Sequence, residues 1–223
     1  MIDKLHYISQ QPENGSHLTA ISQALKAGCK WVQLRVKDQP VDVILEYAIE
    51  ANRLCNQHGA KLIVNDHPEI ALKAGAYGVH LGLQDMSIAQ ARRIVGQKLI
   101  IGGTANTFQH VQQRVAEGVD YIGCGPYRFT KTKEKLSPIL GLEGLKAIVK
   151  QMRAANMTIP VIGIGGVLPE DITSLIDAGL YGVAISGAIT MAADQKAIVN
   201  YSYQRLNARS INELIKTENE NLC

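Results

Sequence analysis

The chain has 223 residues, 46% hydrophobic and 19% charged, with 23 Lys+Arg against 20 Asp+Glu for a formal net charge of +3. That much apolar material excludes disorder as the main state and fits one large domain or two small ones. A charge so small and so dispersed argues against a nucleic-acid partner.

Aromatic residues make up only 5% while glycines number 20, a balance that suits α/β architecture better than an aromatic-rich β-sandwich. The chain begins Met1-Ile2-Asp3-Lys4-Leu5, with no basic region followed by an apolar one, so no signal peptide is predicted. Apolar stretches run to about 8 residues, short of the roughly 18 that cross a bilayer. Cys29, Cys55, Cys124 and Cys223 show no C-x-x-C spacing and read as reduced thiols in a cytoplasmic protein. Cys124, in a Gly-Cys-Gly turn, reads as a small residue in a tight place, with direct chemistry as the alternative.

Eight short apolar runs read as buried parallel strands: Leu5–Ser9, Trp31–Leu34, Lys61–Val64, Gly78–Leu81, Leu99–Gly102, Tyr121–Gly123, Pro160–Ile164 and Gly182–Ile185. Helix-like stretches alternate with them: Leu18–Lys26, Val41–Gln57, Pro68–Lys73, Ile88–Val95, Thr107–Glu117, Leu142–Ala154, Pro169–Asp177 and about Gln195 to Ile215. Pro68 and Pro169 suit a first helical turn, and Ser87 suits a cap. Gly28, Gly75, Gly118 and Gly179 each stand between a helix and the next strand, where glycine closes a helix in the left-handed conformation. Eight strands with this repeated exit predict a (β/α)8 TIM barrel, with a doubly wound open sheet as the alternative. The expected layout is one domain over 1–216 and a polar, frayed tail over 217–223.

In such a barrel the functional groups gather at the C-terminal ends of the strands. After the second strand, alternation puts Gln33, Arg35 and Lys37 on one side, and two cations with an amide suit a polyanion. After the third and fourth come Asn65-Asp66-His67 and His80-Leu81-Gly82-Leu83-Gln84-Asp85. Asp66 and Asp85 converging opposite Arg35 and Lys37 suit Mg2+ bridged to phosphate oxygens, and helix N-capping is the alternative. His80 reads more readily as a hydrogen-bonded core residue than as a base. The long loop from Gly125 to about Gly141 carries Arg128, Lys131, Lys133 and Lys135, a set that can fold over an anionic substrate. After the seventh and eighth strands stand Gly163-Ile164-Gly165-Gly166 and Ser186-Gly187, glycine turns into helices that match a backbone-amide phosphate site. Two anionic sites at one mouth suit either the joining of two phosphorylated substrates or the binding of one bisphosphate.

Taken together and in order, these segments resemble the thiamine-phosphate synthase family, also called thiamine-phosphate pyrophosphorylase. The likeness spans Trp31 to about Ile189. It rests on Gln33-Leu34-Arg35-Val36-Lys37, Asn65-Asp66, Gly78-Val79-His80-Leu81-Gly82-Leu83-Gln84-Asp85, Gly125-Pro126-Tyr127-Arg128-Phe129-Thr130-Lys131-Thr132-Lys133 and Gly163–Gly166. The resemblance implies a transferase that joins hydroxymethylpyrimidine diphosphate to a thiazole phosphate by a dissociative displacement, giving thiamine phosphate and pyrophosphate. It implies that Gln33, Arg35, Lys37 and Asn65 bind the pyrimidine diphosphate and that Asp66 and Asp85 ligate Mg2+. It further implies that Lys133 contacts pyrophosphate, that Thr130 and Thr132 hold the thiazole phosphate or order the loop, and that Gly166, Ser186 and Gly187 cradle the thiazole phosphate.

Departures stand at Val36, where the family often has Glu, and at Arg128-Phe129, where an aromatic-Pro pair is more usual. Gly102-Gly103-Thr104-Ala105-Asn106 replaces Gly-x-Ser-x-His, and Thr104 keeps the hydroxyl and a binding and catalytic role. At the eighth strand the usual Ser-Ala is shifted to Ser186-Gly187-Ala188. Small-molecule substrates are the expected partners, and a homo-oligomer is left open. A thiazole tautomerase-like isomerase would not need Arg35, Lys37, Asp66, Asp85 and Lys133 together. A non-catalytic phosphate-ligand sensor would tolerate loss of both aspartates.

Overall fold

The computed structural model describes residues 1–129 and 138–220, with side chains through residue 208. Eight strands form a closed parallel barrel in sequence order. They are β1 (Leu5–Ile8), β2 (Trp31–Leu34), β3 (Lys61–Asn65), β4 (Gly78–Leu81), β5 (Ile100–Ala105), β6 (Tyr121–Cys124), β7 (Val161–Gly163) and β8 (Gly182–Ile185). β8 closes on β1 with Leu5 opposite Val183 and Tyr7 opposite Ile185. The intervening helices are α1 (His17–Ala27), α2 (Val41–Gln57), α3 (Pro68–Lys73), α4 (Ile88–Val95), α5 (Phe108–Ala116), α6 (Gly141–Ala154), α7 (Ile172–Asp177), α8 (Gly187–Thr190) and α9 (Gln195–Glu220). This is the predicted TIM barrel, and the open sheet is excluded by the β1–β8 ladder.

Local chemistry accounts for the helix ends. Ser16, Ser87 and Thr107 cap α1, α4 and α5, each with a side-chain oxygen accepting from the backbone N–H three residues on. Gly28, Gly75, Gly118 and Gly179 all have positive φ, between +64° and +110°, the left-handed exit that the sequence predicts.

The period-2 alternation of each strand separates two cores. Trp31, Ile63, Tyr121, Ile162 and Ala184 fill the barrel interior. Val32, Leu62, Val79, Ile101, Ile122 and Val183 face the helices. Trp31 stacks on His6 at 4.6 Å between ring centroids and meets Tyr121 edge-on at 5.9 Å. Burial pushes the His6 imidazole down to about 3, so it stays neutral in this apolar plug.

Several boundaries differ from expectation. β5 runs to Ala105 and β6 to Cys124, because residues 102–105 pair with β6 and their glycines are packing positions rather than turn signals. The Pro169 segment begins as a 3-10 turn, Pro169–Asp171, before α7. A one-turn helix, α8, follows Ser186. The last helix continues through Glu220, past the predicted end at Ile215 and into the segment expected to fray. Val199 and Leu206 on that helix are fully buried. No helix among the described residues is long and apolar enough to cross a membrane.

Candidate active site

The inward positions of the strands rise to a polar layer at the C-terminal mouth. On β2, Trp31 faces in and Val32 faces out, so Gln33 faces in and Arg35 follows it upward. Gln33, only 5% exposed, donates through Nε2 to Asn65 Oδ1 at 2.9 Å. Arg35 is anchored by its backbone N–H to Ser9 Oγ at 3.0 Å. Ser9 Oγ also bonds His17 Nδ1 at 2.9 Å. Lys37 Nζ reaches Asp66 Oδ2 at 2.6 Å.

Asp66 and Asp85 stand at adjoining strand ends, close enough that each carboxyl shifts the ionisation of the other. Neither caps a helix: His67 and Ser87 occupy the cap positions of α3 and α4. Asp66 has a left-handed backbone at φ +68°, a conformation few non-glycine residues adopt. Asp85 Oδ2 accepts from the Gly82 N–H at 2.6 Å. Burial, then the adjoining Asp66 carboxylate, pushes the Asp85 carboxyl up to about 6. Burial also pushes Asp66 up, but its hydrogen bonds to Asp85 and Lys37 outweigh this and hold it below the ordinary range.

That pairing sets a pH dependence in the metal-free protein. The native state takes up a proton on Asp85 as pH falls through about 6, whereas the unfolded chain waits until about 4. This group therefore stabilises the fold progressively as pH falls across that window and opposes folding above it. In chelator, Asp85→Asn is expected to melt higher than wild type at pH 8 and to lose that advantage at pH 4.5. Equal melting of the two proteins at both pH values would contradict the pairing.

At the neighbouring strand ends His80 and Thr104 are both buried. His80 Nε2 lies 3.0 Å from Thr104 Oγ1, and its Nδ1 lies 3.1 Å from the Tyr121 hydroxyl. His80 is thus the hydrogen-bonded interior residue that the sequence favours, with a partner in Tyr121 that the sequence does not announce. Cys124 is fully buried and its thiol is pushed up to about 12 by desolvation, so it is a packing residue without nucleophilic character.

Across the mouth, Gly165 and Gly166 turn with φ +85° and +71°, leading to the Pro169 turn. Ser186 precedes α8, whose first amides at Gly187 and Ala188 have no intrahelical acceptor. Ser186 Oγ donates to Gln10 Oε1 at 3.4 Å, bringing the loop after β1 into the cradle. Arg128 is not a free loop cation. Its guanidinium forms a two-pronged pair with Asp171 at 2.7 and 2.9 Å and donates to the Gly166 carbonyl at 2.8 Å. Thr130, Thr132 and Lys133 lie outside the described residues, as do Lys131 and Lys135.

Gln33, Arg35, Lys37, Asn65, Asp66, Asp85 and Thr104 are therefore brought to one side of the mouth, with Gly166, Ser186 and Gly187 on the β7–β8 side. Sequence reasoning missed Tyr121, Arg114, Asp171 and Gln10 as supports of that layer. Gly102 and Gly103 were the available signal, since a glycine pair inside a strand marks bulky neighbours on both faces.

A closed parallel barrel with this mouth defines a TIM-barrel enzyme for anionic substrates. The family model for thiamine monophosphate synthase matches residues 5–189. The chain is 47% identical over 194 residues to the thiamine-phosphate synthase of Phocaeicola vulgatus, covering 87% of this chain and 93% of that one. It is 46% identical over 206 residues to the thiamine-phosphate synthase of Flavobacterium psychrophilum, covering 92% and 100%. Thiamine phosphate pyrophosphorylase from Pyrococcus furiosus superposes with a TM-score of 0.79 at 27% identity, over 92% of this chain and 96% of that one. The chain belongs to the thiamine-phosphate synthase family, a family of transferases.

Proposed function

We propose that this mouth joins 4-amino-2-methyl-5-hydroxymethylpyrimidine diphosphate to a thiazole phosphate, with Mg2+ at Asp66 and Asp85. The observation that carries the reading is the Asp66–Asp85 carboxyl pair, beside Lys37 and opposite the Gly166 and Ser186-Gly187 turns. Two hard oxygen donors with a phosphate ligand suit Mg2+, which keeps waters and needs few protein ligands. Among the described residues no group of three or more His, Cys, Asp or Glu side chains is placed to hold a metal. When bound there, Mg2+ supplies charge neutralisation for the departing pyrophosphate.

The chain's own groups divide the remaining work. Gln33 and Asn65, locked to each other, present amide groups to the pyrimidine. Arg35 and Lys37 meet the diphosphate with charge-assisted hydrogen bonds. Thr104 adds a hydroxyl whose direction His80 and Tyr121 fix. Gly166, Ser186 and Gly187 hold the thiazole phosphate, which aims the ring nitrogen at the pyrimidine methylene carbon. The bond from that carbon to the diphosphate oxygen breaks with its electron pair leaving on pyrophosphate, and the nitrogen lone pair then forms the new C–N bond. Departure needs preorganised positive charge more than acid–base chemistry. Thr130, Thr132 and Lys133, which lie outside the described residues, would contact the phosphates in this reading. The protein acts on small molecules, and the buried thiols of Cys29, Cys55 and Cys124 suit a reducing cytoplasm.

Purified protein given both substrates and Mg2+ is expected to form thiamine phosphate and pyrophosphate in equal amounts, with chelator stopping both. Folded protein that forms no thiamine phosphate would overturn the reading. Lys133→Ala is expected to lower kcat by about a hundredfold with little change in the KM for thiazole phosphate. Parallel changes in kcat and that KM would remove Lys133 from the leaving-group role.

A further inference from the structure

Arg114 is a buried cation, 4% exposed, that the chemistry above does not use. It stands on α5 and its side chain lies along the outer face of β5. A Cβ at Gly103 would meet Arg114 Cδ at 3.0 Å and Nε at 3.2 Å, so the glycine there makes room for the guanidinium. The tip sits where the sheet opens. The β4–β5 ladder ends on Leu81 opposite Gly103, and one residue further on the strands part.

The guanidinium spans that opening. Nε donates to the Thr104 carbonyl at 3.2 Å and the terminal nitrogens donate to the Gly82 carbonyl and the Glu117 carboxylate, each at 2.9 Å. A buried guanidinium is tolerated only when a counter-charge and further acceptors meet it, and here two of the three acceptors are main-chain carbonyls at the mouth. Both belong to residues that carry site groups. The Gly82 N–H holds Asp85 Oδ2, and a Cβ at Gly82 would approach that oxygen to 2.8 Å. Gly82 is the most permissive backbone position of its turn, so fixing its carbonyl fixes the path of the chain that carries Asp85. Thr104 turns its hydroxyl to His80 on the inner face.

We propose that Arg114 is a positioning residue for the metal carboxylates. By holding the Gly82 carbonyl it sets Asp85 against Asp66, and by holding the Thr104 carbonyl it ties that pair to the pyrimidine side of the mouth. This rests on the reading that Asp66 and Asp85 bind Mg2+. A purely structural arginine would change melting temperature and leave metal affinity alone, whereas a positioning arginine changes metal affinity in protein that remains folded.

The test is a Mn2+ titration without substrates, read by the electron paramagnetic resonance signal of the free ion. It compares wild type, Arg114→Lys, Arg114→Gln, Glu117→Gln and Asp85→Ala. Wild type is expected to bind Mn2+ and Asp85→Ala to lose it. Arg114→Gln is expected to bind roughly tenfold more weakly, with Arg114→Lys and Glu117→Gln in between. The Mg2+ concentration for half-maximal turnover should rise by the same factor, with the KM for thiazole phosphate unchanged. Should Arg114→Gln fail to fold, the lysine variant and Glu117→Gln carry the comparison. Mn2+ affinities within twofold of wild type in the folded variants would overturn the role of Arg114 while leaving the metal site standing. Wild type that binds no Mn2+, or Asp85→Ala that binds it equally, would overturn the metal reading and this inference with it.

Discussion

Asp85→Ala is expected to lower kcat/KM on the order of a thousandfold, about 4 kcal/mol of transition-state stabilisation, at saturating Mg2+. Asp85 is one of two carboxylates at adjoining strand ends, and it is held against the other at the expense of its own ionisation. Alanine removes one hard ligand and the acceptor of the Gly82 N–H, and leaves Asp66 to its ion pair with Lys37. Asp85 lines the mouth rather than the barrel core, and in metal-free protein above about pH 6 its raised pKa opposes folding, so the melting temperature in chelator at pH 8 should not fall below that of wild type. Steady-state kinetics over a Mg2+ series, with the melting curve alongside, checks both halves. Turnover equal to wild type would remove Asp85 from the chemistry.

Gly102→Ala is expected to destabilise the fold by about 3 kcal/mol, or a fall in Tm of about 6 to 12 °C. Gly102 faces into the barrel on β5, and a methyl there would collide with the ring of Tyr121 and with His80 Nδ1. Neither can give way cheaply. Tyr121 is fully enclosed between Trp31 and His6, and His80 is bonded at both ring nitrogens. Moving His80 also releases Thr104, so the folded fraction should lose activity as well. A thermal melt within 2 °C of wild type, an interval worth about 0.5 to 1 kcal/mol here, would show that the interior is looser than these contacts require.

These two residues also separate what the sequence makes legible from what it hides. The barrel was legible because its signals are local: buried apolar runs, Ser87 and Thr107 ahead of helices, and Gly28, Gly75, Gly118 and Gly179 at their exits. Strand alternation was enough to turn Gln33 and Arg35 inward, and the closing of strands in sequence order was enough to bring Asp66 beside Asp85. Gly102 and Gly103 misled for a physical reason. They read as the end of a strand, but they are where Tyr121 and His80 press from inside and Arg114 presses from outside. Arg114 sits in a helix-like stretch with nothing local to mark it, because the two carbonyls that hold it lie at the break between β4 and β5. Arg128 reads as a lid cation until Asp171, some 40 residues on in the chain, is folded against it. The contacts of Arg128 with Asp171 and of Arg114 with the Gly82 carbonyl join residues 43 and 32 apart in the chain, and no periodicity encodes that.

The central claim is that one mouth holds the metal–diphosphate and the thiazole phosphate on opposite sides. The most direct test is a crystal structure with Mg2+, pyrophosphate and thiamine phosphate bound. Asp66 and Asp85 are expected to hold Mg2+ with the pyrophosphate beside it, Arg35 and Lys37 to contact the pyrophosphate, and the amides of Gly166 and Gly187 to hold the product's phosphate. Mg2+ and pyrophosphate bound away from both aspartates, or the product phosphate away from β7 and β8, would contradict it.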